Sequence, residues 1–320
     1  MAELDFEIYN NQLIQQIVGP HDSNLRLIEK MLEVEISSFG NKITIKGAKK
    51  ATEQAKEALD ILNTKASKGI EINEQEVKAA VRISNNGNSN VDPKTLSDIV
   101  LKTKKRHIYP RSANQALYIQ EMFKNELVFG LGPAGTGKTY LAVALAVSMM
   151  LEGKIDKIIL SRPAVEAGEN LGFLPGDMKD KIDPYLRPLY DALYEMLPAE
   201  HVDKKLAIGE IEIAPLAFMR GRTLSNAFVI LDEAQNTTPM QMKMFLTRLG
   251  ENSRMVVNGD LSQVDLPRGT ISGLQDALDT LKKVSNISSV TFSATDVVRH
   301  GLVAKIVKAY EERTKKAKND

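Results

Sequence analysis

No cysteine occurs among the 320 residues. That excludes a disulfide framework, thiolate metal ligation and a thiol nucleophile, and it fits a reducing compartment. Histidine is scarce as well: His21, His107, His201 and His300 are scattered, without an H-E-x-x-H string or a paired cluster, so no transition-metal site is expected. The longest apolar stretch, Leu141 to Leu151, carries Ser148 and falls well short of the roughly 18 residues a bilayer crossing needs. The opening Met1-Ala2-Glu3-Leu4-Asp5-Phe6 is acidic, where a secretory signal would run from basic to apolar. A cytoplasmic protein with no membrane partner is expected. Net charge is almost absent, since 42 Lys and Arg stand against 41 Asp and Glu to leave +1; any nucleic-acid contact must come from a local patch. No internal repeat at a solenoid period is visible, and no N-K-x-D string is present to read guanine.

With 43% hydrophobic residues, a chain of this length can bury two cores. Its first part alternates short strand and helix signals. Leu4-Asp5-Phe6-Glu7-Ile8 has period two, Leu13, Ile14 and Ile17 have helical spacing, and a second helix runs through Leu25, Ile28 and Met31-Leu32. Glu33 to Ile36 and Lys42 to Ile45 flank Gly40-Asn41 as a hairpin, and Ala51, Ala55, Ala58, Leu59 and Leu62 mark a last helix. The resulting order, β-α-α-β-β-α, resembles a KH-type RNA-binding module. A KH domain clamps a nucleic-acid backbone with a G-x-x-G loop between its helices; here that loop reads Gly19-Pro20-His21-Asp22. A carboxylate in the last position repels phosphate, so the packing or assembly role is preferred to RNA clamping. Residues 1–65 are assigned to this small KH-like α/β domain. Residues 66–104 are assigned to a linker holding a short helix, Glu74 to Ile83, and the polar run Ser84 to Asn90. The basic cluster Lys102, Lys104, Lys105, Arg106 and His107 sits at its end and can meet phosphate or stand as solvated surface.

From about residue 105 onward one motif decides the reading. The apolar strand Glu126 to Leu131 is followed by Gly132-Pro133-Ala134-Gly135-Thr136-Gly137-Lys138-Thr139 and then by an apolar helix from Tyr140. Glycines at 132, 135 and 137 let successive backbone N–H groups turn inward on phosphate oxygens, at the positive end of the following helix. Lys138 then reaches the β- and γ-phosphates, and the Thr139 hydroxyl ligates Mg²⁺. The second apolar strand, Ala227 to Leu231, ends in Asp232-Glu233-Ala234-Gln235, at the edge where such sheets gather ligands. Asp232 is expected to hold Mg²⁺ through its water shell and Glu233 to polarise the attacking water. A third strand, Arg254 to Asn258, closes with Gly259-Asp260-Leu261-Ser262-Gln263. The fold expected is α/β: a P-loop NTPase domain, three-layer α/β/α with a mainly parallel sheet, over residues 105–320.

These three strings resemble motifs I, II and III of superfamily 1 helicases, in a single core. Ser161 to Glu169 together with Leu171-Gly172-Phe173-Leu174-Pro175-Gly176 narrows the resemblance to the PhoH-like proteins, P-loop ATPases similar to the RecA-like helicase core. The resemblance implies ATP and Mg²⁺ as cofactors. It implies that Gln115, in Ser112-Ala113-Asn114-Gln115, reads the adenine edge, that Gln263 couples γ-phosphate to nucleic-acid grip, and that Arg162 touches phosphate or senses nucleotide. It also implies single-stranded RNA and a YbeY-type endoribonuclease as partners, and a ring, hexameric as in related PhoH proteins. Hydrolysis wants a cation on the developing γ-phosphate charge, worth about 10³ to 10⁵ in rate. Arg220, Arg222 and Arg299 are the candidates, Arg299 being assigned to catalysis with Lys138, Glu233 and Gln263. The reading is an ATP hydrolase coupled to RNA binding or remodelling. The alternatives are a nucleotide-gated RNA scaffold with little turnover and a P-loop phosphotransferase, and Glu233 argues against both.

Overall fold

The computed structural model describes residues 2–85, 99–163, 178–267 and 269–297, with side chains throughout except over 178–184. The first unit follows the expected order: β1 (Ala2–Glu7), α1 (Asn11–Val18), α2 (Ser23–Leu32), β2 (Glu35–Phe39), β3 (Lys42–Gly47) and α3 (Lys49–Ser67). Its three strands pair antiparallel as β1-β3-β2. Register puts Phe6 opposite Ile43 and both Leu4 and Ile36 opposite Ile45, so the period of two gathers one apolar face against the helices. Phe6, Ile17, Leu25, Ile28, Ile43, Ile45, Leu59 and Leu62 form the buried core. In the loop between α1 and α2, His21 and Asp22 take φ of 52° and 61°, the left-handed region that a glycine would enter without strain.

The stretch 74–85, read above as a short helix inside a linker, is helix α4 (Glu74–Asn85) and packs on α2 and α3. Val77, Ala80 and Val81 lie in the first unit's core, the spacing of one helical face. Glu76 brings a buried ion pair with Lys65 at 2.6 Å. The basic cluster after it forms a small antiparallel hairpin, β4 (Leu101–Lys102) with β5 (His107–Ile108).

The second unit is built from α5 (Ala113–Lys124), β6 (Leu127–Leu131), α6 (Lys138–Leu151), β7 (Lys157–Arg162), α7 (Met178–Met196), α8 (Ala199–Ala207), β8 (Ile211–Pro215), β9 (Ala227–Leu231), α9 (Pro239–Leu246), β10 (Arg254–Gly259), α10 (Gly273–Thr280) and β11 (Ile287–Thr291). Its six strands run parallel in the order β11-β6-β10-β9-β7-β8. Side chains alternate between two faces. Val128, Ile158, Leu160, Phe228, Ile230 and Val256 pack toward α6 and α7, while Phe129, Ile159, Val229, Leu231 and Val257 pack toward Met242 and Phe245 of α9 and Leu274 of α10. This is a three-layer α/β/α sandwich with covered faces, as a parallel sheet requires. Helix α6 is apolar nearly all round because it is buried nearly all round: Leu141 through Val147 are 0–2% exposed. Among the described residues no helix is long and apolar enough to cross a membrane.

Three of the hairpin's charges have partners on the sandwich. Lys105 donates to the carbonyl of Tyr194 at 2.8 Å, and Arg106 pairs with Glu195 at 3.1 Å. Lys104 meets His201 at 3.0 Å. These cations gather at the C-terminal end of α7, the negative end of its dipole, so the cluster docks the hairpin onto the sandwich.

Candidate functional site

Parallel strands leave their C-terminal ends on one edge. There the end of β7 and the loops after β6, β9 and β10 meet around a pocket of about 220 Å³ lined by Ala134, Gly135, Gly137, Lys138, Thr139, Tyr140, Arg162, Asp232, Glu233, Gly259, Asp260 and Gln263.

The loop from Gly132 to Gly137 joins β6 to α6. Gly132 has φ +131°, and a Cβ there would stand 2.4 Å from the carbonyl oxygen of Phe292. Gly137 caps α6 in the left-handed region at φ +85°, so the first helical N–H groups face the pocket without a side chain over them. Thr136 closes the loop by donating its hydroxyl to the Pro133 carbonyl at 3.0 Å. The Lys138 ammonium, buried at 8% exposure, folds over the loop and donates to the carbonyls of Gly132 at 2.6 Å and Pro133 at 2.9 Å. Facing it, Thr139 donates its hydroxyl to Asp232 Oδ1 at 2.6 Å.

Asp232 ends the fully buried strand β9 and is itself 3% exposed. Its second oxygen, Oδ2, accepts from Arg162 Nε at 2.9 Å and from Arg162 Nη2. Arg162 Nη1 in turn donates to the Tyr185 carbonyl at 3.0 Å. Arg162, expected to touch phosphate or sense nucleotide, touches the carboxylate in this structure. Glu233 takes a left-handed backbone, φ 55°, which turns its side chain out of the strand direction and leaves it half-exposed over the pocket. Its Oε2 accepts from Gln235 Nε2 at 2.8 Å.

Gln235 was quoted in the sequence only as part of its motif, yet it ties the site together. The same Nε2 donates to the Gln263 carbonyl at 3.2 Å, and its Oε1 accepts from the Asp260 N–H at 3.1 Å. Asp260 then accepts from Gln263 Nε2 at 2.9 Å and from the N–H and hydroxyl of Ser262. The end of β10 is thus hydrogen-bonded to the carboxylate that follows β9. The buried donor and acceptor of a single amide make this possible.

Gln115 lies elsewhere in the scheme. It is 4% exposed, its Nε2 donates to the Thr136 carbonyl at 2.9 Å and its Oε1 accepts from the Arg111 N–H at 2.6 Å. One end of the amide braces the P-loop and the other the chain just before α5, so the adenine edge expected as its partner meets an amide engaged at both ends in this structure. Arg222 is bound to Glu212 by two contacts of 2.5 and 2.7 Å, and Arg220 is exposed; neither lines the pocket. Arg299 and the stretch Ala164 to Gly176 lie outside the described residues. Tyr190 and Tyr194 pack against the large core, and Tyr194 donates to Asp203 at 2.9 Å, which favours packing over base stacking.

Below the loop, Tyr118 donates to Asn258 at 2.5 Å and stacks edge-on against Phe292, ring centroids 5.3 Å apart. Complete burial pushes the Tyr118 phenol well above its ordinary range. At the rim, burial pushes the Tyr140 phenol up while Arg106 pulls the other way.

The donor set suits a hard divalent cation, since a hydroxyl and a carboxylate oxygen already lie within 2.6 Å of each other. Among the described residues no group of three or more His, Asp or Glu is placed to hold a metal, so Thr139 and Asp232 would leave most of a cation's shell to water or ligand oxygens.

A parallel sheet with a glycine-rich phosphate loop after one strand, and an acidic strand end opposite it, defines a P-loop NTPase. The chain matches the PhoH-like protein family over residues 107–311. It is 51% identical over 298 residues to the "PhoH-like protein" of Bacillus subtilis (strain 168), covering 93% of each chain. It is 46% identical over 298 residues to that of Mycobacterium tuberculosis (strain ATCC 25618 / H37Rv), covering 93% of this chain and 85% of the relative. With "Protein PhoH" of Escherichia coli (strain K12) it shares 48% identity over 205 residues, covering 63% of this chain and 58% of that one. The chain belongs to the PhoH-like family.

Proposed function

We propose that this protein hydrolyses ATP with Mg²⁺ and couples turnover to binding or remodelling single-stranded RNA. The observation that carries the reading is one pocket shared by Lys138, Thr139, Asp232 and Glu233, with a separate residue for each task of γ-phosphate hydrolysis. Lys138 exchanges the Gly132 and Pro133 carbonyls for phosphate oxygens. Thr139 and Asp232 hold the cation, which when bound neutralises charge on the phosphates. Arg162, itself held by the Tyr185 carbonyl, keeps the Asp232 carboxylate aimed. Glu233, fixed by Gln235, orients a water, and Gln263 reports the γ-phosphate to the end of β10.

RNA is preferred as the load because the β-α-α-β-β-α unit resembles a KH module and because the motifs resemble a strand-tracking motor. Asp22 in the KH-like loop argues that this unit assembles or positions more than it clamps. With Arg220 and Arg222 away from the pocket, the remaining cation comes from Arg299 or from a neighbouring subunit, which fits a hexameric ring in the cytoplasm. RNA cleavage belongs to a partner of the YbeY endoribonuclease type. Inorganic phosphate release, measured with and without single-stranded RNA, tests the reading. The parent is expected to release phosphate faster with RNA, and Lys138→Ala to lose both the basal and the stimulated rates. Equal rates for parent and variant would overturn it.

A further inference from the structure

At about 220 Å³, the pocket under the P-loop is smaller than the roughly 300 to 1,000 Å³ of clefts that enclose small organic ligands. Its walls are charged and suit a polyphosphate. Gly135, Gly137 and Tyr140 also line a second, larger cavity of about 1240 Å³, so a nucleotide leaving the phosphate pocket past the first turn of α6 enters that cavity directly.

The larger cavity lies between the two units. One wall is the connection from α3 to α4, where Gly69 turns the chain at φ +77° and Ile70 follows. Ile70 is half-buried, lines the cavity, and stands outside the apolar core of its own unit. Tyr140, half-buried, lines the cavity from the P-loop unit, and Tyr109, also half-buried, lines it beside Lys65. Arg111 spans the two units, with Nε 4.0 Å from Glu76. A nucleobase wants flat apolar surface on its faces and a few polar groups at its edge, and this cavity supplies both. Gln115 also lines it, but its amide is already used on both sides.

We propose that this cavity receives the base and ribose of the bound nucleotide, the base packing on Tyr140 of the P-loop unit and Ile70 of the first unit. The nucleotide then ties the two units together, and the first unit is part of the nucleotide site. The inference rests on the nucleotide reading above.

Calorimetry on the full chain with Mg²⁺ separates the two, by comparing ATP with inorganic tripolyphosphate, which has no nucleoside. The parent should bind ATP more tightly than tripolyphosphate. Tyr140→Ala and Ile70→Ala should each raise the Kd for ATP by about tenfold, and Ile70→Ala, away from the phosphate pocket, should leave that for tripolyphosphate within about twofold. Tyr140→Phe, which keeps the ring, should restore ATP affinity. Retained tripolyphosphate binding also certifies that Ile70→Ala is folded, and a parent-like circular dichroism spectrum does so for the Tyr140 variants. An unchanged ratio of the two affinities in Ile70→Ala would overturn the inference while leaving the P-loop reading intact, as would a loss confined to RNA affinity. A parent that binds neither ligand would overturn the nucleotide reading and this inference with it.

Discussion

Glu233 and Asp232 are adjacent carboxylates held for different work, and the difference comes from what each touches. Asp232 is buried between Thr139 and Arg162, whereas Glu233 is half-exposed and met by an amide. A half-exposed carboxylate with one oxygen held by Gln235 and the other 4.0 Å from Arg162 can orient a water; replacing it with its isosteric amide removes that ability and little else. Glu233→Gln is expected to retain ATP binding by calorimetry and to lose phosphate release by about 10² to 10⁴. Tyr118 offers a second test. Its folded phenol is raised by burial, so the folded state holds the proton more tightly than the unfolded chain does. That contribution is complete below the unfolded value near pH 10 and is lost as pH rises beyond it. Tyr118→Phe should cost about 1 to 3 kcal/mol at neutral pH, because Asn258 Oδ1 is left buried without its donor. It should also flatten the alkaline fall in urea midpoint; a parent-like alkaline slope would show that other groups govern it. That Lys138, Thr139, Asp232 and Glu233 meet at one pocket was legible in the sequence, because the glycine-rich loop and the acidic strand end have a fixed residue type and spacing. Arg162 and Gln115 were legible as site residues but not in their partners, since a guanidinium or an amide serves a phosphate, a carboxylate or a carbonyl equally well.

Among the elements, strand β6 carries the tightest constraint. Gly130 lies opposite Asn258 in the β6–β10 register and under the Tyr118 hydroxyl, and Gly132 runs against the Phe292 backbone just after β11. The phosphate loop is therefore anchored by the two strands that flank β6, through contacts that leave no room for a methyl group. Gly132→Ala must strain a backbone at φ +131° and move a carbonyl 2.4 Å from the new carbon. It is expected to cost about 1 to 3 kcal/mol, visible as a lower urea midpoint, and to weaken tripolyphosphate binding because the loop shifts with it. Retained stability would mean that the strand ends part freely. Strands β6, β9 and β10 could be read from their apolar runs, and the first unit's order from its change of period, whereas β7, β8 and β11 were not singled out. The order of the parallel strands could not be read, because the central ones, β6, β10, β9 and β7, are buried on nearly all sides and look alike in sequence. Helix α4 was misplaced in the linker for a different reason: its apolar face is short and alanine-rich, and the polar run after it dominated the reading.

At the scale of the whole molecule, the two units meet through α5, whose Ala113 and Ala116 belong to the first unit's core while Tyr118 and Ile119 belong to the sandwich. Small residues at 113 and 116 let the helix lie close, and Gln115 between them holds the P-loop. Beside this joint sits the buried pair of Lys65 and Glu76, side chains 2% and 10% exposed, with the Tyr109 ring 5.9 Å from the ammonium and Arg111 beyond. A buried pair adds little over apolar residues of its own volume, but half a pair is costly, because the remaining ion keeps its desolvation penalty without its partner. Glu76→Gln leaves the Lys65 ammonium against a neutral amide and is expected to cost about 3 kcal/mol. Lys65→Met combined with Glu76→Leu should recover most of that loss. Urea unfolding followed by circular dichroism reads both. If the double variant fell as far as the single one, the charges themselves would be holding the joint, since the replaced volume would then have failed to substitute for them.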